Sequence, residues 1–197
     1  IHGLGGKILT TGGAKNEKWV SDVQDMHVHC YVIPKSADVW HAAGGRIMNY
    51  AEPFPSIENP LTYRSKIGHN MYFSNYDGTM IHGYCVITRF NPFAKDYEGN
   101  YRRFAMVLPQ QDGVIDTLAI EGLREGFDDI RYFSLLQLLA RDAMRKSAEP
   151  ALIREARSSM AWLAQQKKVE GDPGEVRLRT IERILNLRNL MSKYGVK

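Results

Sequence analysis

Four short apolar segments constrain this chain most, each bounded by glycine or proline and each separated from the next by more residues than a hairpin turn needs. They are residues 7–11 (Lys-Ile-Leu-Thr-Thr between glycine pairs), 26–33 (Met26 to Ile33, stopped by Pro34), 45–50 (Gly45 to Tyr50) and 78–87 (Gly78 to Ile87). Each reads as a strand. Gaps of about a dozen residues or more suit crossovers between parallel strands, not antiparallel hairpins. One crossover helix is legible over 60–72: Asn59 is its expected N-cap and Pro60 its first residue, with Leu61, Arg64 and Gly68 aligned along it. A further extended piece is expected at 104–108, ending at Pro109. The class is therefore α/β. Four strands make half of a closed parallel fold, and an open half leaves unpaired strand edges.

The remainder reads as helical. From Ile120 to about Lys146, Leu123, Phe127, Ile130, Leu135, Leu138 and Leu139 give a broad apolar face. Glu149-Pro150 stops that helix and opens another, with Leu152, Ala156, Met160 and Leu163 as its stripe. Asp172 is the expected cap of a last helix, Pro173 its first residue and Glu175 the closing member of a capping box; Ile181, Leu185 and Leu190 are expected to face inward. Residues 148–197 thus read as an antiparallel helical hairpin packed on the first domain, 1–147, and carrying no chemistry of its own.

Charge follows the same division. Residues 1–120 hold 11 Lys+Arg against 11 Asp+Glu, and residues 121–197 hold 15 against 11, the whole of the net +4. The basic residues alternate with acids at helical spacing, which describes a solvated helix face and not a nucleic-acid patch. No run of about 18 apolar residues is present to span a membrane. The chain starts at Ile1 without a charged, apolar, cleavable leader, so the expectation is a processed chain or a segment of a longer one. Cys30 and Cys85 lack CxxC spacing and sit in apolar runs, where cysteine is usually a small buried hydrophobe.

Two constellations could carry chemistry. In Asp25-Met26-His27-Val28-His29 the two histidines stand at i and i+2 of a strand, share a face and could share a metal. This run looks like the Asp-x-His-x-His strand of amidohydrolase barrels, which would make a metal-dependent hydrolase; the plainer reading is two hydrogen-bonded or barrel-lining histidines. Asp128-Asp129, flanked by Glu121 and Glu125, resembles an acid–base pair of a glycosidase. Helical neighbours diverge by about 100°, however, so the two cannot address one sugar, and a structural role is expected. Aromatic residues are dense between Tyr31 and Tyr84 (Trp40, Tyr50, Phe54, Tyr63, Tyr72, Phe73 and Tyr76 among them), as in sugar-stacking clefts, although core packing accounts for most equally well. There is no Gly-rich phosphate loop, no GxSxG elbow and no dinucleotide fingerprint. No cofactor is expected.

The run Asp112-Gly113 through Glu121-Gly122-Leu123-Arg124-Glu125-Gly126-Phe127-Asp128-Asp129-Ile130-Arg131-Tyr132 resembles a hallmark of glycoside-hydrolase-like (β/α)8 proteins, the family 123 glycosidases and the related DUF4091 domain. Asn59-Pro60-Leu61 with Arg64 and Gly68 resembles their helix before the last strand, and Gly78 to Tyr84 resembles that strand. The resemblance covers roughly residues 40–145. It implies the C-terminal half of a (β/α)8 TIM-type barrel, followed by the helical hairpin. It implies part of a glycoside hydrolase acting on hexosides, N-acetylated ones included, with this segment forming one wall of the cleft. In the family the sugar's own amide is the nucleophile, and an adjacent Asp-Glu pair polarises it and protonates the leaving group. No such dipeptide stands here, so the pair is expected N-terminal to this segment. Barrel sites gather at the C-terminal ends of strands. The residues expected to meet carbohydrate are therefore Asn49, Tyr50 and Glu52 after one strand, and His82, Tyr84 and Arg89 on or after the last; Glu121 and Arg124 would lock helix to barrel. The implied partners are carbohydrate and the remaining barrel or a partner chain, with no nucleic acid and no membrane. Secretion or a periplasmic location is implied by the resemblance alone. A non-catalytic carbohydrate-binding or structural module is the alternative.

Overall fold

A computed structural model describes residues 2–13, 17–50, 59–81, 83–84, 106–168 and 171–196. The chain divides into two compact units, Ile1–Gly126 and Phe127–Lys197.

The first unit is built on four parallel strands: β1 (Leu9–Gly12), β2 (Met26–His29), β3 (Arg46–Asn49) and β4 (Gly78–Thr79), hydrogen-bonded in the order β1-β2-β3-β4. Leu9 pairs with Met26 and Gly12 with His29; Met26 pairs with Arg46, and Asn49 with Thr79. The expected α/β class and parallel pairing are therefore present. The fourth strand is shorter than the expected 78–87; residues 82 and 85–87 lie outside the described residues.

Between β1 and β2 lies the short helix α1 (Glu17–Val20), and between β2 and β3 lies α2 (Ser36–Ala42). The expected helix at 60–72 is a continuous run of α3 (Pro60–Tyr63), a π-helical stretch (Arg64–Asn70) and α4 (Met71–Phe73). Asn59 caps it as expected, its side chain accepting from Leu61 N at 3.0 Å. Parallel strands are covered on both faces, and β2 conforms: His27, Val28 and His29 are all buried. On one face Ala37, Trp40, Ile47, Met71 and Tyr76 form a core, with Val20 and Val32 packed against it.

Two aspartates anchor the N-terminal edge of the sheet in the same way. Asp25, just before β2, accepts from Ile8 N at 2.7 Å and is bonded by His2 and Lys7. Asp77, just before β4, accepts from Ile47 N at 2.8 Å and is bonded by His41. The Ile8 amide, with Lys7 and His2, holds the Asp25 carboxyl down at about 2.

After β4 the chain forms an antiparallel hairpin, β5 (Val107–Gln110) and β6 (Gly113–Asp116), in which Pro109 lies opposite Val114. The expected extended piece at 104–108 is present in its described part and runs on past Pro109 to Gln110, while residues 104 and 105 lie outside the described residues. A proline is admitted where its missing N–H faces no partner strand, and Gln111-Asp112 form the two-residue turn between the paired Gln110 and Gly113.

The long helix α5 (Leu118–Lys146) follows, and the boundary between the units falls within it. Its first turns pack on α3 and the π-helical stretch. A Cβ on Gly122 would overlap the Pro60 backbone and sit 2.8 Å from Tyr63 Cβ; one on Gly126 would sit 3.0 Å from Gly68 N. The two glycines therefore set a close helix crossing, around a second core of Tyr63, Ile67, Met106, Ala119 and Leu123.

The second unit comprises the rest of α5, α6 (Pro150–Gln165) and α7 (Pro173–Lys193). Pro150 and Pro173 open their helices, and Asp172 accepts from Gly174 N at 2.8 Å, as expected. The buried stripe of α7 differs from expectation. It is Val176, Thr180, Ile184, Leu187 and Met191, while Leu185 is 54% exposed. Thr180 tolerates burial because its hydroxyl donates to Val176 O at 2.7 Å. In α6 Ser159 takes the buried position given to Met160, and in α5 Phe127 and Leu138 are exposed.

Candidate functional site

The sequence-expected site residues centre on the C-terminal edge of the parallel sheet. There β1 ends in Gly12-Gly13, β2 in Cys30-Tyr31, β3 in Tyr50 and β4 in Met80. The ladder continues for one residue, Tyr50 N donating to His29 O at 3.0 Å and Met80 N to Asn49 O at 2.6 Å. Tyr31 is 54% exposed and Met80 41%. The Tyr50 hydroxyl lies 2.8 Å from Cys30 Sγ, a contact that, with some burial and the neighbouring Cys30 and Tyr31, pushes its pKa above the usual phenol value. These strand ends offer aromatic faces and hydrogen-bonding groups, and among the described residues they carry no carboxylate.

The expected site residues fall differently. Tyr50 stands at this edge. Asn49 is fully buried, in register with His29. Tyr84 is 57% exposed, and its carbonyl accepts from Met106 N at 2.8 Å. Glu52, His82 and Arg89 lie outside the described residues. Of the aromatic residues, Trp40, Tyr63 and Tyr76 belong to the cores.

His27 and His29 do share a face, with ring centroids 4.7 Å apart. It is the face covered by the helices: His27 stacks on Trp40 of α2 at 4.6 Å with the rings 6° from parallel. Thr10 Oγ1 donates to Gln24 Oε1 at 2.5 Å, so the 2.9 Å contact of His27 Nδ1 with Thr10 has the imidazole donating. Its Nε2 is then a buried lone pair without a hydrogen-bond partner. Around His29 the order is equally defined. Ile33 N donates to Tyr76 Oη at 2.9 Å, and Tyr76 Oη lies 3.0 Å from His29 Nδ1. With the hydroxyl donating to Nδ1, the imidazole proton sits on Nε2, 2.8 Å from Glu17 Oε1 though off the line of a straight hydrogen bond. Ser36 Oγ donates to the same Glu17 oxygen at 2.7 Å. Burial, and for His27 also the neighbouring His29, lowers both imidazole pKa values.

Among the described residues no group of three or more His, Cys, Asp or Glu is arranged to hold a metal ion. The two histidines are hydrogen-bonded residues of the helix-covered face. Glu17, Ser36 and Tyr76 escaped the sequence reading because nothing local marks them; Tyr76 reaches His29 from 47 residues along the chain.

The paired carboxylates separate as their helical spacing requires. Asp128 is half-exposed and pairs with Arg131 at 2.8 Å, whereas Asp129 is fully buried and pairs with Arg177 at 2.5 Å. Glu121 and Arg124, expected to lock helix to barrel, pair with each other at 3.0 Å on the helix surface, with Asp116 3.7 Å away. The link from α5 to the preceding helix is instead Arg64–Glu125, at 3.9 Å. Comparison with protein-family models and with curated proteins found no match to this chain.

Proposed function

We propose that this chain is the C-terminal half of a glycoside-hydrolase-like (β/α)8 barrel and forms one wall of a hexoside-binding cleft. The observation that carries the reading is the strand order. An open doubly wound sheet reverses direction at a switch point, whereas a (β/α)8 barrel adds each strand beside the last. Here four parallel strands follow in chain order without reversal. The exposed Tyr31 and the Tyr50 ring at their C-terminal ends suit stacking on a sugar face. The lack of a carboxylate at those ends, among the described residues, fits a wall that binds while the acid and base stand elsewhere. That same lack also favours the second reading, a carbohydrate-binding module without catalysis.

Calorimetric titration with hexosides, N-acetylated ones included, tests both. Tyr50→Ala and Tyr84→Ala are expected to weaken binding about tenfold, the loss of one stacked ring, with the circular dichroism spectrum unchanged. Equal affinity in both variants would remove the cleft from this edge. Binding without hydrolysis by the whole protein would favour the module.

A further inference from the structure

We propose that Cys30 is a positioning residue for carbohydrate binding, its thiol tethering the Tyr50 ring across the ends of β2 and β3 in the orientation in which it stacks. The inference rests on the reading of this edge as a hexoside-binding wall, and adds to it a residue that itself touches no sugar. Tyr50 is fastened at two points, to the last residue of β2 and to the one after it. Its backbone N–H donates to His29 O at 3.0 Å, and its hydroxyl lies 2.8 Å from Cys30 Sγ. The first bond continues the parallel ladder and fixes the root of the side chain. The second fixes its tip.

A tyrosine side chain turns about two torsions, and neither changes far while both ends are held. A platform already in place spares the ligand the cost of ordering it. A ring loose at its tip has to be immobilised at binding, which weakens affinity by about fivefold. With its hydroxyl engaged by sulfur, Tyr50 meets a ligand through its ring face, the part that suits the apolar face of a sugar. Two further observations agree with a tether. Cys30 is half-buried and its thiol is free of any disulfide, so the sulfur is at hand for the phenol. Tyr31, the next residue, is 54% exposed and acts electrostatically on the same Tyr50 hydroxyl, so the bond gathers two rings at one place. The raised Tyr50 pKa has the direction expected of a phenol donating its proton to Cys30.

Calorimetric titration of the whole protein with a methyl hexoside and its 2-acetamido counterpart tests the tether through a double-mutant cycle. Cys30→Ala and Tyr50→Phe are each expected to weaken binding about fivefold, and together no more than either alone, because both remove the same bond. Cys30→Ser, whose hydroxyl is able to bond to Tyr50, should recover most of the loss, as it would not if packing volume alone were at stake. Tyr50→Phe keeps the ring and leaves the thiol in place, so it decides the matter if Cys30→Ala does not fold. Native affinity in Tyr50→Phe, additive losses in the double variant, or no recovery in Cys30→Ser would each overturn the proposal. If the native protein binds neither hexoside, the reading of this edge falls and the tether with it. If it binds and only Tyr50→Ala weakens it, that reading stands and the tether alone falls.

Discussion

At the scale of single residues, neighbours in sequence have opposite fates. Asp128 and Asp129 are chemically identical, but 100° of helical rotation separates them. One meets water and Arg131; the other meets Arg177 with no exposed surface. Taking one member from a buried ion pair leaves the other charge desolvated, which costs about 3–5 kcal/mol, whereas an exposed pair contributes about 1 kcal/mol or less. Asp129→Ala is therefore expected to lower unfolding stability in urea by about 3 kcal/mol or more, and Asp128→Ala by less than about 1 kcal/mol. Similar costs would mean that Asp129 is solvated. The separation follows from spacing alone; which of the two turns inward does not, because that depends on Arg177, 48 residues further on. The same holds for His27 and His29. Their common face is written in the alternation of a strand, but Glu17, Ser36 and Tyr76 reach that face only through the fold.

At the scale of elements, starts and stops were readable and helix phase was not. Asn59, Pro60, Pro150, Asp172 and Pro173 act through the backbone of their own turn, so the sequence states them directly. Phase depends on what a helix packs against. In α7 three leucine-type residues, Ile181, Leu185 and Leu190, suggest one stripe, but the buried one runs through Thr180, whose hydroxyl is satisfied within the helix. In α5 the buried stripe runs through Gly122, Gly126 and Asp129, residues that an apolar periodicity passes over. Gly122 and Gly126 lie inward because the backbone of the preceding helix leaves no room for a Cβ. The phase of α7 is testable with two leucines. Leu187 has no exposed surface and Leu185 is 54% exposed. Leu187→Ala should cost about 2–5 kcal/mol through lost burial and the cavity left behind, and Leu185→Ala about 0.5 kcal/mol or less. Chemical denaturation of the two variants measures the difference, and the reverse order would place the stripe on Ile181, Leu185 and Leu190.

At the scale of the whole molecule, strand spacing conveyed the parallel pairing, since each gap is long enough for a crossover. It could not convey closure, which is a property of strand number. Eight strands close a (β/α)8 barrel, and among the described residues the parallel sheet has four. In the proposed reading β1 is an internal strand of a larger sheet, and the described residues agree with an uncovered flank: Leu9 on β1 is 53% exposed and the strand's burial alternates between exposed and intermediate. A parallel edge of this kind is unusual, because parallel sheets are stable when covered on both faces and continued at their edges. The mass of the native protein in its source extract therefore discriminates between the readings. A chain within a barrel should have a mass well above 22.4 kDa, either covalently, as one longer polypeptide, or through a tight partner that supplies the remaining β/α units. In that case glycosidase assays belong on the whole assembly, because among the described residues the strand ends hold no acid. A native mass of 22.4 kDa would remove the barrel half and the catalysis attached to it. Tyr31 and Tyr50 would then be the working surface of a small binding module, with hexoside affinity the only activity left to measure.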